Sequence, residues 1–423
     1  GTAAAERALL GGVGYALATT RAAFAHRAAV RADSRESLAA GLRALARGED
    51  AESLIRGPAG GVGAARPRVV FVFPGQGSQW PGMARELAAE SPVFAERLRA
   101  AADALAPHVD WNLFDVLAGR PGAPSLDRVD VVQPALFAVM VALAGLWRHL
   151  GVEPDAVIGH SQGEIAAAQV AGALSLDDAA RLSALRARAL TALAGRGGML
   201  SVALPAAELQ AHLDPYSGEA QIAAVNGPAS TVVSGSPAAL AALRRALEAA
   251  GVRSRRIPVD YASHSPQIDL IEDRLRAAVA GITPRAGAVP FCSTVTGGLL
   301  DPAELTADYW YRNIRQTVRF HAAVEELLGS GHSLFIEVSP HPVLTVGITE
   351  TAEDRQARDP APTRRPVGAF GTLRRDQGGW GRFLASAAQA HVHGVPVAWE
   401  AAHTGSPPAL PPGLELPTYP FQR

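Results

Sequence analysis

Between Asp155 and Glu164 the chain reads DAVIGHSQGE, a short apolar strand (Ala156, Val157, Ile158) that runs into Gly159-His160-Ser161-Gln162-Gly163. A strand turning abruptly into a helix exposes the residue at its apex, and flanking glycines remove side chains that would crowd it. The stretch therefore reads as a nucleophile elbow with Ser161 as the candidate nucleophile. The helix that follows, Glu164 to Ala173, turns its free N-terminal amides toward the same spot, so the amide of Gln162 can stabilise an oxyanion. A lone GxSxG also occurs in ordinary tight turns, and support must come from the rest of the chain.

Strand and helix alternate around this turn as in α/β folds. Arg68 to Phe73, RVVFVF, is a buried-type strand that empties into Pro74-Gly75-Gln76-Gly77-Ser78-Gln79-Trp80. This loop lacks the spacing of a phosphate cradle and suits an oxyanion-hole partner better. Helical stretches are expected over Met83 to Leu105 and Ala135 to Leu150, and a further helix from Ser175 carries Arg181, Arg186 and Arg188. From Met199 the pattern becomes β-α-β-β-α-β, the order of a ferredoxin-like insert, and the main sheet resumes through PFCSTVTG and SLFIEVSP. The fold class expected is α/β: a large α/β-hydrolase-like core with a parallel sheet and an inserted ferredoxin-like subdomain. An N-terminal α/β linker subdomain and a C-terminal wrapping tail flank it. The boundaries expected are 1–66 for the linker, 67–198 with 263–354 for the large subdomain, 199–262 for the insert and 355–423 for the tail. The first segment holds a helix over Glu6 to Arg27, a short strand in HRAAVRA and a helix capped near Ser34.

Bulk properties exclude several classes. With 39 basic and 40 acidic residues the net charge is −1, which removes any general electrostatic case for nucleic acid or an anionic membrane. The small basic clusters, Arg253 with Arg255 and Arg256, Arg364-Arg365 and Arg374-Arg375, read as solvated faces, with a carrier-protein or phosphate contact as the alternative. A single cysteine, Cys292, excludes a disulfide framework and a thiolate metal site, and reads as buried packing. The longest apolar run, Pro134 to Trp147, falls short of the ~20 residues that cross a bilayer, so a soluble cytoplasmic protein is expected. The first residue is Gly rather than Met, as expected of a segment excised from a longer chain.

A serine hydroxyl is a poor nucleophile until a base takes its proton, so one of the 12 histidines must reach Ser161. His160 adjoins the serine, but the turn sends neighbouring side chains in different directions, which suits a supporting residue. His264 lies in the loop where the small insert rejoins the large core, a place where clefts form, and is the preferred base. His341, in Ser339-Pro340-His341-Pro342, and His332 flank a strand and read as structural, while His391 and His393 are expected on the surface. Spacing alone does not select His264 over His341.

The ordered set FVFPGQGSQW, GHSQGE, ALRARAL, YASH and FIEVSPHPVL closely resembles the malonyl-type acyltransferase domains of modular type I polyketide synthases. The resemblance covers essentially the whole chain, with LPTYPFQR similar to the end of the post-acyltransferase linker and residues 1–66 to the ketosynthase-to-acyltransferase linker. It implies Ser161 as the acylated nucleophile and His264 as general base and acid. The imidazole is then held by backbone carbonyls of the Trp310 to Asn313 region in place of a carboxylate. It implies the amides of Gln76 and Gln162 as the oxyanion hole, and Arg186 as a bidentate clamp for the free carboxylate of the substrate, with a helix-surface ion pair as the bland alternative. Acetyl units, which lack that carboxylate, should then be poor substrates.

Tyr261-Ala262-Ser263-His264, Gln162 and Arg128-Val-Asp-Val-Val-Gln133 resemble the members that select methylmalonyl units, with His160, Tyr261, Ala262 and Ser263 at the substrate. One methylene discriminates by only ~1 to 3 kcal/mol, so some leakage is expected. The implied cycle takes methylmalonyl-CoA as substrate and passes the acyl group to the phosphopantetheine thiol of an acyl carrier protein, with no bound cofactor and no metal. The implied partners are that carrier protein, acyl-CoA and an adjacent ketosynthase. The alternatives are malonyl or ethylmalonyl selection, a serine hydrolase or thioesterase, and a docking scaffold.

Overall fold

Apolar runs without alternation belong to strands covered on both faces. The two runs that frame the expected site, RVVFVF and AVIG, lie side by side in the larger sheet of this computed structural model. The structure describes residues 2–59, 61–63, 65–359, 366–403, 410 and 414–418. The basic pair Arg364-Arg365 and the terminal stretch from Tyr419 to Arg423 lie outside the described residues. The chain divides into two compact units, residues 1–67 with 147–153 and 384–423, and residues 68–146 with 154–383. In chain order the strands are β1 (Ala28–Val30) and β2 (Leu54–Arg56) in the first unit, and β3 (Arg68–Phe73), β4 (Ala156–Gly159), β5 (Gly198–Val202), β6 (Ala220–Gly227), β7 (Ser230–Gly235), β8 (Ser254–Ile257), β9 (Phe291–Ser293), β10 (Gly298–Leu300), β11 (His332–Glu337) and β12 (Gly368–Gly371) in the second.

In the first unit β1 and β2 pair antiparallel, and the helix Arg35–Arg47 begins with a capping box between Ser34 and Ser37. The first helix, Thr2–Thr20, stops short of Arg27; Thr19 and Thr20 turn their hydroxyls back to the carbonyls of Tyr15 and Ala16. His391 and His393 are half-buried rather than surface residues: His391 packs edge-on against Trp399 at 5.8 Å, and His393 bonds the carbonyl of Gln389.

The second unit holds a six-stranded sheet in the order β10-β9-β4-β3-β11-β12 and a four-stranded sheet in the order β6-β7-β5-β8. Along β3 and β4, Val70, Val72, Ala156 and Ile158 join a core with Phe320, Phe335 and Ile348, while the alternate residues Val69, Phe71, Phe73 and Val157 are equally buried. That is the period of two of a strand covered on both faces. The large sheet is mixed, not wholly parallel: β9 and β10 pair antiparallel, because the few residues between Ser293 and Gly298 allow a hairpin and no crossover. The segment assigned to a tail beyond 354 supplies β12, which pairs parallel with β11. A four-residue strand, GAFG, is too short to stand out against its Pro/Arg-rich surroundings.

The smaller sheet is antiparallel throughout, with the helices Ala206–Leu213 and Pro237–Ala249 packed on its apolar side through Leu209, Leu213, Leu243 and Leu247. The long apolar helix runs Val129–His149, beginning a turn earlier than the apolar run. It is the one helix among the described residues long and apolar enough to cross a membrane, and 78% of its most apolar window is buried inside the protein. The expected helix Met83 to Leu105 is two, Arg85–Glu90 and Pro92–Leu105, divided where Ser91 caps the second and Pro92 takes its first position.

Candidate active site

The end of β4 explains why the turn at Ser161 needs its glycines. A Cβ on Gly159 would lie 2.2 Å from the amide nitrogen of Glu164, and one on Gly163 would lie 2.0 Å from the carbonyl of Phe73. Only with both side chains absent does the helix Gly163–Ala171 start this close to the sheet. Ser161 is left at the apex in a left-handed conformation, φ 55°, which for a non-glycine residue is held by the surrounding structure.

His264 comes to Ser161 from a second left-handed position, φ 58°. Its Nε2 lies 2.8 Å from Ser161 Oγ, and its Nδ1 lies 2.8 Å from the carbonyl oxygen of Gln316. A carbonyl only accepts, so Nδ1 carries the proton and Nε2 offers its lone pair to the serine hydroxyl. The supporting carbonyl belongs to Gln316 and not to the stretch from Trp310 to Asn313. That stretch is inside the helix Ala307–Arg315, whose carbonyls point along the helix axis, whereas Gln316 caps the helix end and turns its carbonyl to the imidazole. Trp310 is buried, and its indole nitrogen has no hydrogen-bond partner among the described residues. Asn313 acts through its side chain: Nδ2 donates to the carbonyl of Ser161 at 3.2 Å and to Glu164 Oε2 at 2.7 Å.

Arg186 lies on the helix Leu176–Leu190 and is 2% exposed, which removes the helix-surface reading. Its Nη1 donates to Gln133 Oε1 at 2.8 Å, and Nη2 stands 3.4 Å from both Ser161 Oγ and Asn313 Oδ1. Nε has no partner, and among the described residues no carboxylate lies within ion-pair distance of this guanidinium. Burial lowers its pKa to about 10, so the group stays charged at neutral pH. The Glu164 carboxylate favours the charged form but reaches the guanidinium only through Asn313, so among the described residues the cation has no direct ion-pair partner and suits an anionic ligand.

Neither the amide of Gln76 nor that of Gln162 is engaged by a hydrogen-bond partner among the described residues, so both are free for a developing oxyanion. The Gln76 side chain accepts from Tyr261 Oη and, at 3.0 Å, from Gln133 Nε2. Tyr261, Gln76, Gln133 and Arg186 thus form one network. The loop that carries Gln76 is tied down at Trp80, whose Nε1 donates to the carbonyl of Pro340 at 3.0 Å. That next loop is shaped by the buried Glu337, which accepts the amides of Val343 and Leu344 at 2.8 Å each; burial lifts its pKa to about 7.

His160 points away from the Ser161–His264 pair: Nε2 donates to Asn226 Oδ1 at 2.8 Å, and the ring packs on Phe320. Ser263 Oγ lies 3.6 Å from Met199 Sδ. Ala262 is fully buried and lies so close to Gly197 that a Cβ on Gly197 would come within 2.6 Å of Ala262 Cβ. His332 bonds the carbonyl of Leu327 and His341 accepts the amide of Arg375, so neither meets Ser161. Cys292 is buried, 3.6 Å from the carbonyl of Ala323, with its thiol pKa raised by burial.

Glu164, which follows the serine motif and was given no role in the sequence, is the buried centre beneath the site. Its carboxylate accepts from the amide and hydroxyl of Thr294 at 2.5 and 2.8 Å, from Tyr309 Oη at 2.6 Å and from Asn313. Burial raises its pKa and these donors oppose the shift. Nothing in the local pattern pairs it with residues 130 or more positions away.

The His264 pKa is held down to about 3, first by burial and then by the nearby Arg186 charge. A base works in its neutral form, so lowering the pKa moves the loss of activity to more acidic pH. The free-enzyme rate of Ser161 acylation, kcat/KM, is therefore expected to show no His264 titration near 6.5 and to stay within about twofold between pH 7.5 and 5.5. A half-loss near pH 6.5 in single-turnover acylation would contradict this.

A family model described as acyl transferase domain matches residues 70–397. The chain is 57% identical over 417 residues to polyketide synthase GfsA of Streptomyces halstedii, covering 97% of this chain and 5% of that protein. It thus spans a small part of this much longer relative. Among solved structures, the acyltransferase domain from module 8 of the salinomycin polyketide synthase superposes with a TM-score of 0.86 at 56% identity, covering 92% of this chain and 89% of that one. The malonyl CoA-acyl carrier protein transacylase of Coxiella burnetii superposes with a TM-score of 0.67 at 27% identity, covering 78% of this chain and 99% of that one.

Proposed function

The chain belongs to the acyltransferase domains of modular polyketide synthases, and from that premise we propose that it loads a methylmalonyl extender unit from methylmalonyl-CoA onto a carrier protein through an acyl-serine. The observation that carries the substrate class is Arg186: a buried guanidinium with no carboxylate partner, 3.4 Å from Ser161 Oγ. An acyl thioester seated for attack by Ser161 places a distal carboxylate on that cation, where two parallel charge-assisted hydrogen bonds form.

Ser161 Oγ attacks the thioester carbonyl while its proton moves to His264 Nε2, and the negative charge on the carbonyl oxygen falls to the amides of Gln76 and Gln162. Collapse expels the CoA thiolate, which takes the proton from His264. The acyl-serine is then attacked by the phosphopantetheine thiol of the carrier protein, with His264 again taking and returning the proton. The Coxiella burnetii relative is described as a malonyl CoA-acyl carrier protein transacylase, which supports both halves of this cycle. No step calls for a metal or a bound cofactor.

The methylmalonyl choice rests on Tyr261, Ala262, Ser263 and Gln162 and on the stretch Arg128 to Gln133, with the small, buried Ala262 and Ser263 leaving space where a bulkier side chain would crowd a branch methyl. The antiparallel sheet order β6-β7-β5-β8 supports reading the smaller sheet as a ferredoxin-like insert in a hydrolase-like core. The segments 1–66 and 355–423 are read as linkers, the first toward an adjacent ketosynthase, in a cytoplasmic synthase.

The test is intact-protein mass after brief exposure to equal concentrations of malonyl-, methylmalonyl-, ethylmalonyl- and acetyl-CoA. A predominant methylmalonyl adduct is expected, with malonyl behind it by roughly tenfold and acetyl at background. A malonyl or mixed adduct would overturn the side-chain choice and leave the transferase standing; an adduct that water removes faster than a carrier thiol does would favour hydrolysis.

A further inference from the structure

The base, His264, sits in a backbone conformation that a histidine does not adopt by preference, φ 58°, at the point where the inserted sheet returns to the core. Its amide donates to the carbonyl of Ile314 at 2.9 Å, and its ring Nδ1 to the carbonyl of Gln316 at 2.8 Å. Its own carbonyl oxygen is held from the other side: Gln221 Nε2 donates to it at 2.5 Å, with Ser234 Oγ at 3.5 Å. Gln221 belongs to β6, and β6 is joined to the segment that carries Ile314 and Gln316. Val225 donates to the carbonyl of Val318, Val318 donates to the carbonyl of Ala223, each at 2.9 Å, and Thr317 Oγ1 donates to the carbonyl of Ile222 at 2.8 Å.

These bonds close a ring: from β6 through Gln221 to His264, from His264 to Ile314 and Gln316, and from that segment back to β6. Gln221 is the one side chain in the ring that grips His264 at short distance. Without it only the 3.5 Å contact from Ser234 Oγ holds the His264 carbonyl, which gives the peptide after His264 room to rotate. We propose that Gln221 is a positioning residue for acyl transfer, its amide fixing the main chain of His264 so that the imidazole faces the serine. This rests on Ser161 and His264 being the reacting pair.

Gln221 is half-buried and lines a polar cleft of about 620 Å³ together with Ser234, Ser265 and Gln267, so replacing it leaves the core intact. The substitutions are Gln221→Leu, which keeps the bulk and removes the donor, and Gln221→Glu, whose ionised carboxylate repels the carbonyl and whose protonated form donates to it again. Asp214 and Glu219 line the same cleft, and like charges favour the protonated form of a carboxyl, while His264 stays neutral across the range used.

Two rates are read: acylation of Ser161 by methylmalonyl-CoA, and labelling of Ser161 by phenylmethylsulfonyl fluoride, which needs the serine–histidine pair and no carboxylate. Gln221→Leu is expected to lower kcat and the labelling rate at least tenfold with KM within twofold of the parent. Gln221→Glu is expected to be as slow at pH 7.5 and to regain at least fivefold, relative to the parent, on acidification to pH 5.5. The proposal is overturned by Gln221→Leu within twofold of the parent, by a loss confined to KM, or by a Gln221→Glu ratio that does not change with pH. Should Gln221→Leu not fold, the pH ratio of Gln221→Glu decides by itself. Sulfonyl labelling of a parent protein that takes no acyl unit would count against the acyl-CoA reading and leave the role of Gln221 measurable.

Discussion

Ser161→Ala is expected to remove every acyl adduct and to reduce transfer to a carrier thiol by on the order of 10⁴-fold or more, with folding unchanged. The argument is geometric. Ser161 Oγ is 2.8 Å from a base whose other nitrogen is locked to Gln316, and among the described residues no second nucleophile bonds that base. His264→Ala is expected to cost about as much, because without a proton acceptor the hydroxyl does not attack. The double substitution should be no worse than either single one, since the two groups act as a unit. Two losses that multiply would show that another residue serves as base. The measurement is single-turnover acylation followed by intact mass, with circular dichroism and melting temperature alongside.

The second large effect is at Arg186. Arg186→Ala is expected to lower kcat/KM for carboxylated acyl-CoA by roughly 10²- to 10³-fold, in line with about 2 to 5 kcal/mol for one partner of a desolvated charge pair. Acetyl-CoA, with no distal carboxylate, should lose little, so the preference narrows or inverts. Arg186→Lys should recover only part, since a point charge cannot form the parallel pair of hydrogen bonds. Stability separates this reading from a structural one. Breaking a buried structural ion pair is strongly destabilising, but Arg186 has no direct carboxylate partner among the described residues, so its removal, which gives up the bonds to Gln133 and Asn313, should lower the melting temperature only slightly. A clear fall in melting temperature, or equal losses for acetyl and malonyl substrates, would assign Arg186 to the fold and not to the substrate.

Much of this site was legible because the chemistry is concentrated in local patterns. GHSQGE announces a strand, a turn and a helix N-terminus within ten residues, and the glycines are required where the structure places them, against Glu164 and Phe73. RVVFVF announces a strand covered on both faces, and the β-α-β-β-α-β pattern after Met199 has its counterpart in the elements from β5 to β8. Elements that failed were those with weak local signals. The strand GAFG is four residues long, and the helix Thr2–Thr20 has no distinct stop signal in a run of helix-forming residues.

The residues that hold the reacting groups were not legible in the same way. Gln316 was displaced from the expected stretch by one helical turn, and the reason is a helix end, where carbonyls become free. Glu164 meets Thr294 and Asn313, and Gln221 meets His264, only after sheets and loops far apart in sequence have packed. Selection against alternatives for the base was open in the spacing, with His341 as eligible as His264; the fold spends His341 on the amide of Arg375.

What the sequence by itself determined is therefore the set of groups and their local presentation: a serine at the apex of a turn, amides at a helix start, an arginine on a helix, a histidine in a junction loop. Periodicity and glycine placement encode these, because both act over a few residues. Only the tertiary structure decided the environment of each group, which imidazole nitrogen carries the proton, that Arg186 is buried without a direct carboxylate partner among the described residues, and which side chains pin His264. Burial and hydrogen-bond partners depend on which distant segments share the same few ångströms, and no local pattern records that.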